Sequence, residues 1–419
     1  MNEQIKQRIT QLNNGDVPDG FKKTEFGVFP CDWVTDKKLV DLGVFGKGKG
    51  LPGDKMTSEG VPCVGYGDIY MKYSHFHFEK AKTFVDEETA SESQLIQKGT
   101  LLFTGTGETA EEIGKCVCYN GNEPIYAGGD IITFEPNKVN SLFLAYQQYQ
   151  NFSLRKKTSF GQGHSVVHIQ KDNLEKLNVA YPESATEQSK IAEILVKWDE
   201  VIELQERQLD NLKTKKDAIL QRLIKRDNDW LKVSLKDILK ERTEFATKDD
   251  GYPHVTLSKS GVSKKTKQYN RDFLVKSDDK KYKITRYNDV CYNPANLKFG
   301  VICINKLADE SIFSPIYITY EVNPQYNVDF IGAVLCSNDF IRYIRKYEEG
   351  TVYERQAVKS SDFLRGEIWV PSTKEEQDRI ASIIEKIDDY IKMEQQKYEM
   401  LCAQRKTLQQ YLLNGIVRV

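Results

Sequence analysis

Two short stretches of the chain carry the residue types that hold or activate a small molecule. Gly105-Thr106-Gly107-Glu108-Thr109-Ala110 follows the strand-like run Thr100-Leu101-Leu102-Phe103-Thr104 and matches a loose dinucleotide fingerprint, in which glycines let the backbone approach a pyrophosphate. That chemistry requires the loop to open a full helix, whereas Glu111-Glu112-Ile113-Gly114 leads directly into Cys116-Val117-Cys118-Tyr119 and leaves no room for one. Asn293-Pro294-Ala295-Asn296 echoes the Asn-Pro-Pro-aromatic motif of amino-methyltransferases, but the second proline and the aromatic ring are missing. No glycine-rich loop ends in Gly-Lys-Ser or Gly-Lys-Thr, so nothing is expected to cradle a triphosphate. Of the five histidines, His75 and His77 sit two apart on a strand-like run, and none belongs to an HExxH pattern. The eight cysteines include no pair of CxxC motifs, and Cys116 and Cys118 alternate along one strand, so buried free thiols are expected rather than zinc. The expectation is a chain with no catalytic, metal or cofactor site of its own.

What remains is the chemistry of binding a polyanion. Lysine and arginine contact phosphates, while arginine, asparagine, glutamine and short polar side chains read base edges. Candidates in the first half are Lys47 and Lys49, then Arg155, Lys156 and Lys157, with Gln162 just beyond. In the second half they are Lys264, Lys265 and Lys267, then Lys298, Arg345, Lys346 and Arg355, with further cations at Lys280, Lys281, Lys283 and Arg342. The net charge is −1, from 60 basic and 61 acidic residues, so an interface with nucleic acid would have to be a local basic face. No run of eighteen apolar residues is present and the first dozen residues are polar, so a cytoplasmic chain without a membrane partner is expected.

The elements that would position these residues come in duplicate. At 419 residues the chain exceeds what one hydrophobic core usually supports. The segment beginning Pro182-Glu183-Ser184-Ala185-Thr186-Glu187-Gln188 returns as Pro371-Ser372-Thr373-Lys374-Glu375-Glu376-Gln377, 189 positions later. The same offset relates Ile191 to Ile380, Asp199 to Asp388, Ile202 to Ile391 and Leu223 to Leu412. Near the start of each half, Trp33 precedes Asp41-Leu42 and Trp230 precedes Asp237-Ile238.

After each proline the apolar residues fall on alternating four- and three-residue steps. The first series is Ile191, Leu195, Trp198, Ile202, Leu209, Leu212, Ile219 and Leu223; the second is Ile380, Ile384, Ile387, Ile391, Tyr398, Leu401, Leu408 and Leu412. Such a seam, kept for more than four heptads, predicts two coiled-coil helices, each of about 38 residues and roughly 57 Å long. Two seams in one chain meet at high effective concentration, which favours pairing within the molecule over dimerisation. Four seam positions are polar: Gln205, Lys216, Glu394 and Arg405. An antiparallel register that sets Gln205 against Arg405 also sets Lys216 against Glu394, and would keep every other layer apolar.

The expected plan is α+β: a leader over 1–30, recognition domains over 31–181 and 227–370, and helical spacers over 182–226 and 371–419. The domains carry short strand-like runs such as Asp130-Ile131-Ile132-Thr133-Phe134 and Ile316-Tyr317-Ile318-Thr319-Tyr320, with helices expected over Leu142–Tyr149 and Phe330–Arg342. The scaffolds correspond, but the loops between them hardly do.

This order resembles the specificity subunits of Type I restriction–modification systems. Thr24-Glu25-Phe26-Gly27-Val28-Phe29-Pro30-Cys31-Asp32-Trp33 looks like the family's opening motif, and the segments after Pro182 and Pro371 look like its central and C-terminal helices. The second opening, Asp229-Trp230, lacks the glycine and proline of the first. The resemblance implies two target-recognition domains on an antiparallel helical spacer with pseudo-twofold symmetry, each reading half of a split double-stranded DNA target. It also implies partners: two methyltransferase subunits bringing S-adenosylmethionine, and restriction subunits bringing ATP, Mg and cleavage. The alternative is the recognition subunit of a Type II methylase–nuclease system.

Overall fold

The computed structural model describes residues 3–73, 75–163, 166–227, 229–247, 250–259, 261–264, 281–307, 310–348 and 357–419. It divides into two compact units, Met1–Glu206 with Lys397–Val419 and Arg207–Gln396. The divisions fall inside the long helices, Ala185–Leu223 and Lys374–Leu413, and not at the domain–helix junctions that the sequence suggested. The reason is packing. Ile191, Ala192, Leu195, Leu412 and Leu413 belong to the core of the first unit, whereas Ile380 and Ala381 belong to that of the second.

Each unit closes its globular domain in the same way. In the first, Trp33 and Val34 pair antiparallel with Pro182 and Tyr181; in the second, Trp230 and Leu231 pair with Pro371 and Val370. The opening tryptophan thus lies beside the proline that launches the helix. Trp33 is buried against Phe29 and Phe143, and Trp230 against Phe330. Each long helix then starts from a hydroxyl cap: Ser184 accepts from the Glu187 N–H at 3.3 Å and Thr373 from that of Glu376 at 3.4 Å.

A buried glutamine ties each helix start to its domain. Gln188 donates through Nε2 to the Pro182 carbonyl (2.8 Å) and accepts through Oε1 from the Asn140 N–H (2.9 Å). Gln377 makes the same two bonds, to Pro371 (3.3 Å) and from Asn327 (3.0 Å). Asn140 and Asn327 in turn cap the helices Ser141–Gln147 and Val328–Leu335. A second helix follows in each unit, Asn151–Phe160 and Asn338–Ile344. The single helix expected over Phe330–Arg342 is therefore two, because Ser337 starts a new one by accepting from the Phe340 N–H.

The shared core of each unit is an antiparallel sheet. In the first the order is Gly43–Lys47, Ile131–Pro136, Leu101–Thr104, Cys116–Tyr119, with His77–Phe78 added in parallel at the end. In the second it is Leu239–Glu241, Ile318–Val322, Val290–Tyr292, Ile302–Ile304. The registers agree as well: Leu101 faces Phe134, and Val290, 189 positions after Leu101, faces Tyr320. Outside this frame the units diverge. The first adds a four-stranded sheet from residues 61–127, and the second adds a three-stranded sheet and the hairpin Val255–Ser258/Gly261–Lys264.

The helices run antiparallel against each other within each unit, but in a different register from the one expected. Arg405 donates to both carboxylate oxygens of Asp199, at 2.9 and 3.3 Å, and to Gln409. Lys216 pairs with Asp388. Each of these cations therefore takes a carboxylate beside the seam. A charge-assisted bond to a carboxylate is stronger than one to the neutral amide of Gln205, and the pairing of Lys216 with Asp388 shifts the register by the same six residues. Gln205 and Glu394 are buried with partners of their own. Of the other seam positions, Ile191, Leu195, Ile202 and Leu209 are fully buried, Trp198, Ile384, Ile387 and Ile391 partly so, and Ile219 is exposed. Of the cysteines, Cys63, Cys116, Cys118 and Cys291 are buried but Cys31 and Cys336 are exposed, so the expectation of buried thiols holds for only some of them.

Candidate nucleic-acid interface

In the first unit the basic residues separate into three environments. Lys47 ends the strand Gly43–Lys47 and Lys49 follows two residues later, both exposed. Gly48 between them passes so close to Gly128 that a Cβ would lie 1.7 Å from its carbonyl oxygen, so only glycine permits this corner. Lys47 lines a small cleft of about 160 Å³ with Gly105, Thr106, Asp130, His168 and Gln170. Arg155 and Lys156 project from the helix Asn151–Phe160 into a second groove, shared with Lys23, Thr24 and Phe26, of about 560 Å³. Lys156 lies over the Phe160 ring at 4.9 Å.

Lys157 has a different environment and is withdrawn as a DNA contact. Its side chain is buried, its ammonium donates to the Gly114 carbonyl at 2.8 Å, and it lies 5.4 Å from the Tyr149 ring centre. Burial pushes its pKa down to about 8. One residue in a helix turns its side chain by about 100°, so three consecutive cations cannot share one face. Lys283 is lost as a surface cation in the same way, being buried with its ammonium 3.3 Å from Glu241.

Gln162 is exposed, and its backbone exchanges hydrogen bonds with that of His168 at 3.1 and 2.8 Å. This places an amide beside the cleft that Lys47 lines. His168 itself is exposed, with Nδ1 3.2 Å from the Thr106 hydroxyl. The sequence reading missed Thr106, His168 and Gln170. The available signal is the Gly105-Thr106-Gly107 loop, where glycines expose backbone and neighbours to a ligand without forming a cofactor fingerprint.

In the second unit, Lys264 is exposed at the end of its hairpin, whereas Lys265, Lys267 and Arg355 lie outside the described residues. Lys298 sits over the ring of Phe299 at 5.3 Å, and Phe299 is 56% exposed. Arg345 is engaged by Glu348 at 3.0 Å. Lys346 is exposed and stacked on Tyr343 and Tyr347, at 4.0 and 4.7 Å. An arginine whose charge is already paired contributes less to phosphate binding than an exposed lysine, so Lys346 is the stronger of these two candidates. The structure thus brings Lys47, Gln162 and His168 together in the first unit, and Arg155 with Lys156 in a second groove of that unit.

Among the described residues no helix is long and apolar enough to cross a membrane. Residues 30–214 match the family model of the Type I restriction modification DNA specificity domain. A putative type I restriction enzyme MjaX specificity subunit of Methanocaldococcus jannaschii is 23% identical over 96% of this chain and 97% of its own length. A solved S subunit of a Type-I restriction-modification system from M. genitalium superposes with a TM-score of 0.55, at 13% identity over 91% of this chain and 96% of that one. A chain from a structural study of type I R-M complex assembly and conformational transition gives 0.55 at 12% identity, over 96% of this chain and all of the other. These two likenesses concern the fold.

Proposed function

We propose that this chain, whose residues 30–214 match the Type I restriction modification DNA specificity domain, is a Type I specificity subunit in which each unit reads one half of a bipartite double-stranded DNA target. One observation supports this reading above the others. The two units repeat the same frame, from the Gln188 and Gln377 clamps to the order of four sheet strands, and differ in the loops that the frame presents. A frame kept constant under divergent loops suits two readers of two different sequences.

The chain would act without catalysing, as the recognition subunit of a larger complex. Two methyltransferase subunits would bring S-adenosylmethionine and flip the target adenine, since a base in the stack is out of reach of chemistry. Restriction subunits would bring ATP, Mg and cleavage. The exposed cations Lys47, Lys49, Arg155, Lys156, Lys264 and Lys346 would hold phosphates, and the paired helices would set the distance between half-sites, as half-site spacing follows protein geometry.

The test is binding and cleavage by the reconstituted complex. Sequence-selective binding that weakens steeply with salt is expected, because phosphate contacts release counterions. A complex indifferent to sequence would refute the reading. Cleavage independent of ATP would point to a Type II system instead. A heptad inserted only into Ala185–Leu223 should change or abolish the spacing of the target, and an unchanged spacing would remove the ruler role from the helices.

A further inference from the structure

We infer that the loop at Gly105-Thr106, together with His168, is the base-reading edge of the first unit, and that Asn296, Lys298 and Phe299 form the corresponding edge of the second. The inference rests on the functional reading above and names the residues that determine specificity.

The two loops are structural equivalents. Each follows an interior strand of the shared sheet, Leu101–Thr104 or Val290–Tyr292. Each is pinned by the same backbone bond: the Ile169 N–H donates to the Gly105 carbonyl at 3.0 Å, and the Val358 N–H to the Pro294 carbonyl at 3.3 Å. Both ends of these bonds stand 189 positions apart, the offset of the whole repeat. The two stretches that imitate cofactor motifs in the sequence therefore occupy one position in the fold. At that position the frame is the same and the chemistry is not.

In the first unit the loop gives a polar cleft. The Thr106 hydroxyl at Nδ1 fixes the His168 ring, and Nε2 is the ring nitrogen left for a ligand. In the tautomer in which the hydroxyl donates to Nδ1, Nε2 carries the proton and can donate to the N7 acceptor of a purine in the major groove; in the other, Nε2 accepts from the amino group of a base. Lys47, Asp130, Gln170 and Lys171 line the same cleft, so that an amide and charges of both signs stand around the imidazole.

In the second unit the loop turns its first residue inward. Asn293 is buried and its side-chain oxygen accepts from the Ala295 N–H at 3.1 Å, which starts the short helix Pro294–Phe299. The helix leaves Asn296 exposed, followed by the half-buried Lys298 and the exposed Phe299. An amide suits the N6/N7 edge of adenine, and an exposed ring suits a thymine methyl. A histidine edge in one unit and an amide–aromatic edge in the other would give the two half-sites different sequences.

The test uses the full chain in complex with its methyltransferase subunit, and host genomic DNA as the probe, with modified positions read by sequencing. His168→Ala should relax one position of one half-site and weaken binding to the target about 5- to 150-fold, the weight of one base contact. The other half-site and binding to unrelated DNA should stay as in the wild type. Asn296→Ala should relax the other half-site instead. Thr106 is a positioning residue: Thr106→Val should relax the same position as His168→Ala by a smaller factor, and Thr106→Ser should restore it. If both half-sites remain intact in His168→Ala and Asn296→Ala, the inference is wrong. Loss of both half-sites in His168→Gln, which keeps a hydrogen-bond donor and an acceptor on the side chain, would also overturn it, because that pattern marks a structural role. A wild-type complex that methylates without sequence preference would remove the premise before any variant is made.

Discussion

Asp199 with Arg405, and Asp388 with Lys216, are the same ion pair in two copies. Each acid stands 189 positions from its counterpart, as does each base. The first pair is buried, with side chains 5% and 10% exposed, and its guanidinium stacks on Phe76 and Tyr146 at 4.3 and 5.4 Å. The Tyr146 hydroxyl adds a further bond to Asp199 at 2.7 Å. The second pair has side chains 50% and 29% exposed. Duplication preserved which residues meet, while the surroundings set what the meeting is worth.

The largest expected effect breaks that equality. Asp199→Ala should destabilise the protein by about 3–5 kcal/mol, because it leaves the Arg405 charge buried and unpaired. Asp388→Ala, in solvent, should cost at most about 1 kcal/mol. Denaturant unfolding of the two variants measures the difference directly, and equal losses would mean that burial does not separate the units.

A second contrast concerns Lys157 and Lys346, which are also 189 positions apart. The folded protein holds Lys157 at about 8, against 10.5 for a free lysine, so between those values the unfolded chain binds more protons. The cost of the buried charge is full below about pH 8 and is lost as pH rises to about 10.5. Lys157→Met should therefore be more stable than the wild type at neutral pH, and its advantage should shrink by about 3 kcal/mol across that window. Lys346→Met should instead lose about 0.5–1 kcal/mol, the value of an exposed cation–π contact. Unfolding curves of both variants at several pH values decide the point; a Lys157→Met advantage that does not change with pH would contradict it.

Where the frame is shared, the units should respond alike. Gln188→Leu and Gln377→Leu each strip two hydrogen bonds from the start of a long helix, and each should cost about 1–3 kcal/mol. Thermal unfolding that finds one costly and the other silent would show that the two clamps are not equivalent.

The sequence made the frame legible for a physical reason. A heptad seam depends on spacing alone, so both helices could be placed to within a few residues, and the duplication supplied an internal control. The register was not legible, because Asp199 and Asp388 lie beside the seam and carry no periodic signal. Nor could the fate of Lys157 be read, since a run of three cations does not say which one turns toward the core. The candidate site was legible only in part. Lys47, Gln162 and Lys298 could be named as candidates from residue type, but His168 and Thr106 meet across 62 positions of chain, and only the sheet brings them together.

The central claim is that two related readers in one chain recognise two different sequences. Sequencing the modified bases in DNA from cells that express this chain with its methyltransferase subunit tests it most directly. The account predicts a bipartite target, two unlike half-sites separated by a fixed number of unread base pairs. A single contiguous target, or two identical half-sites, would contradict it.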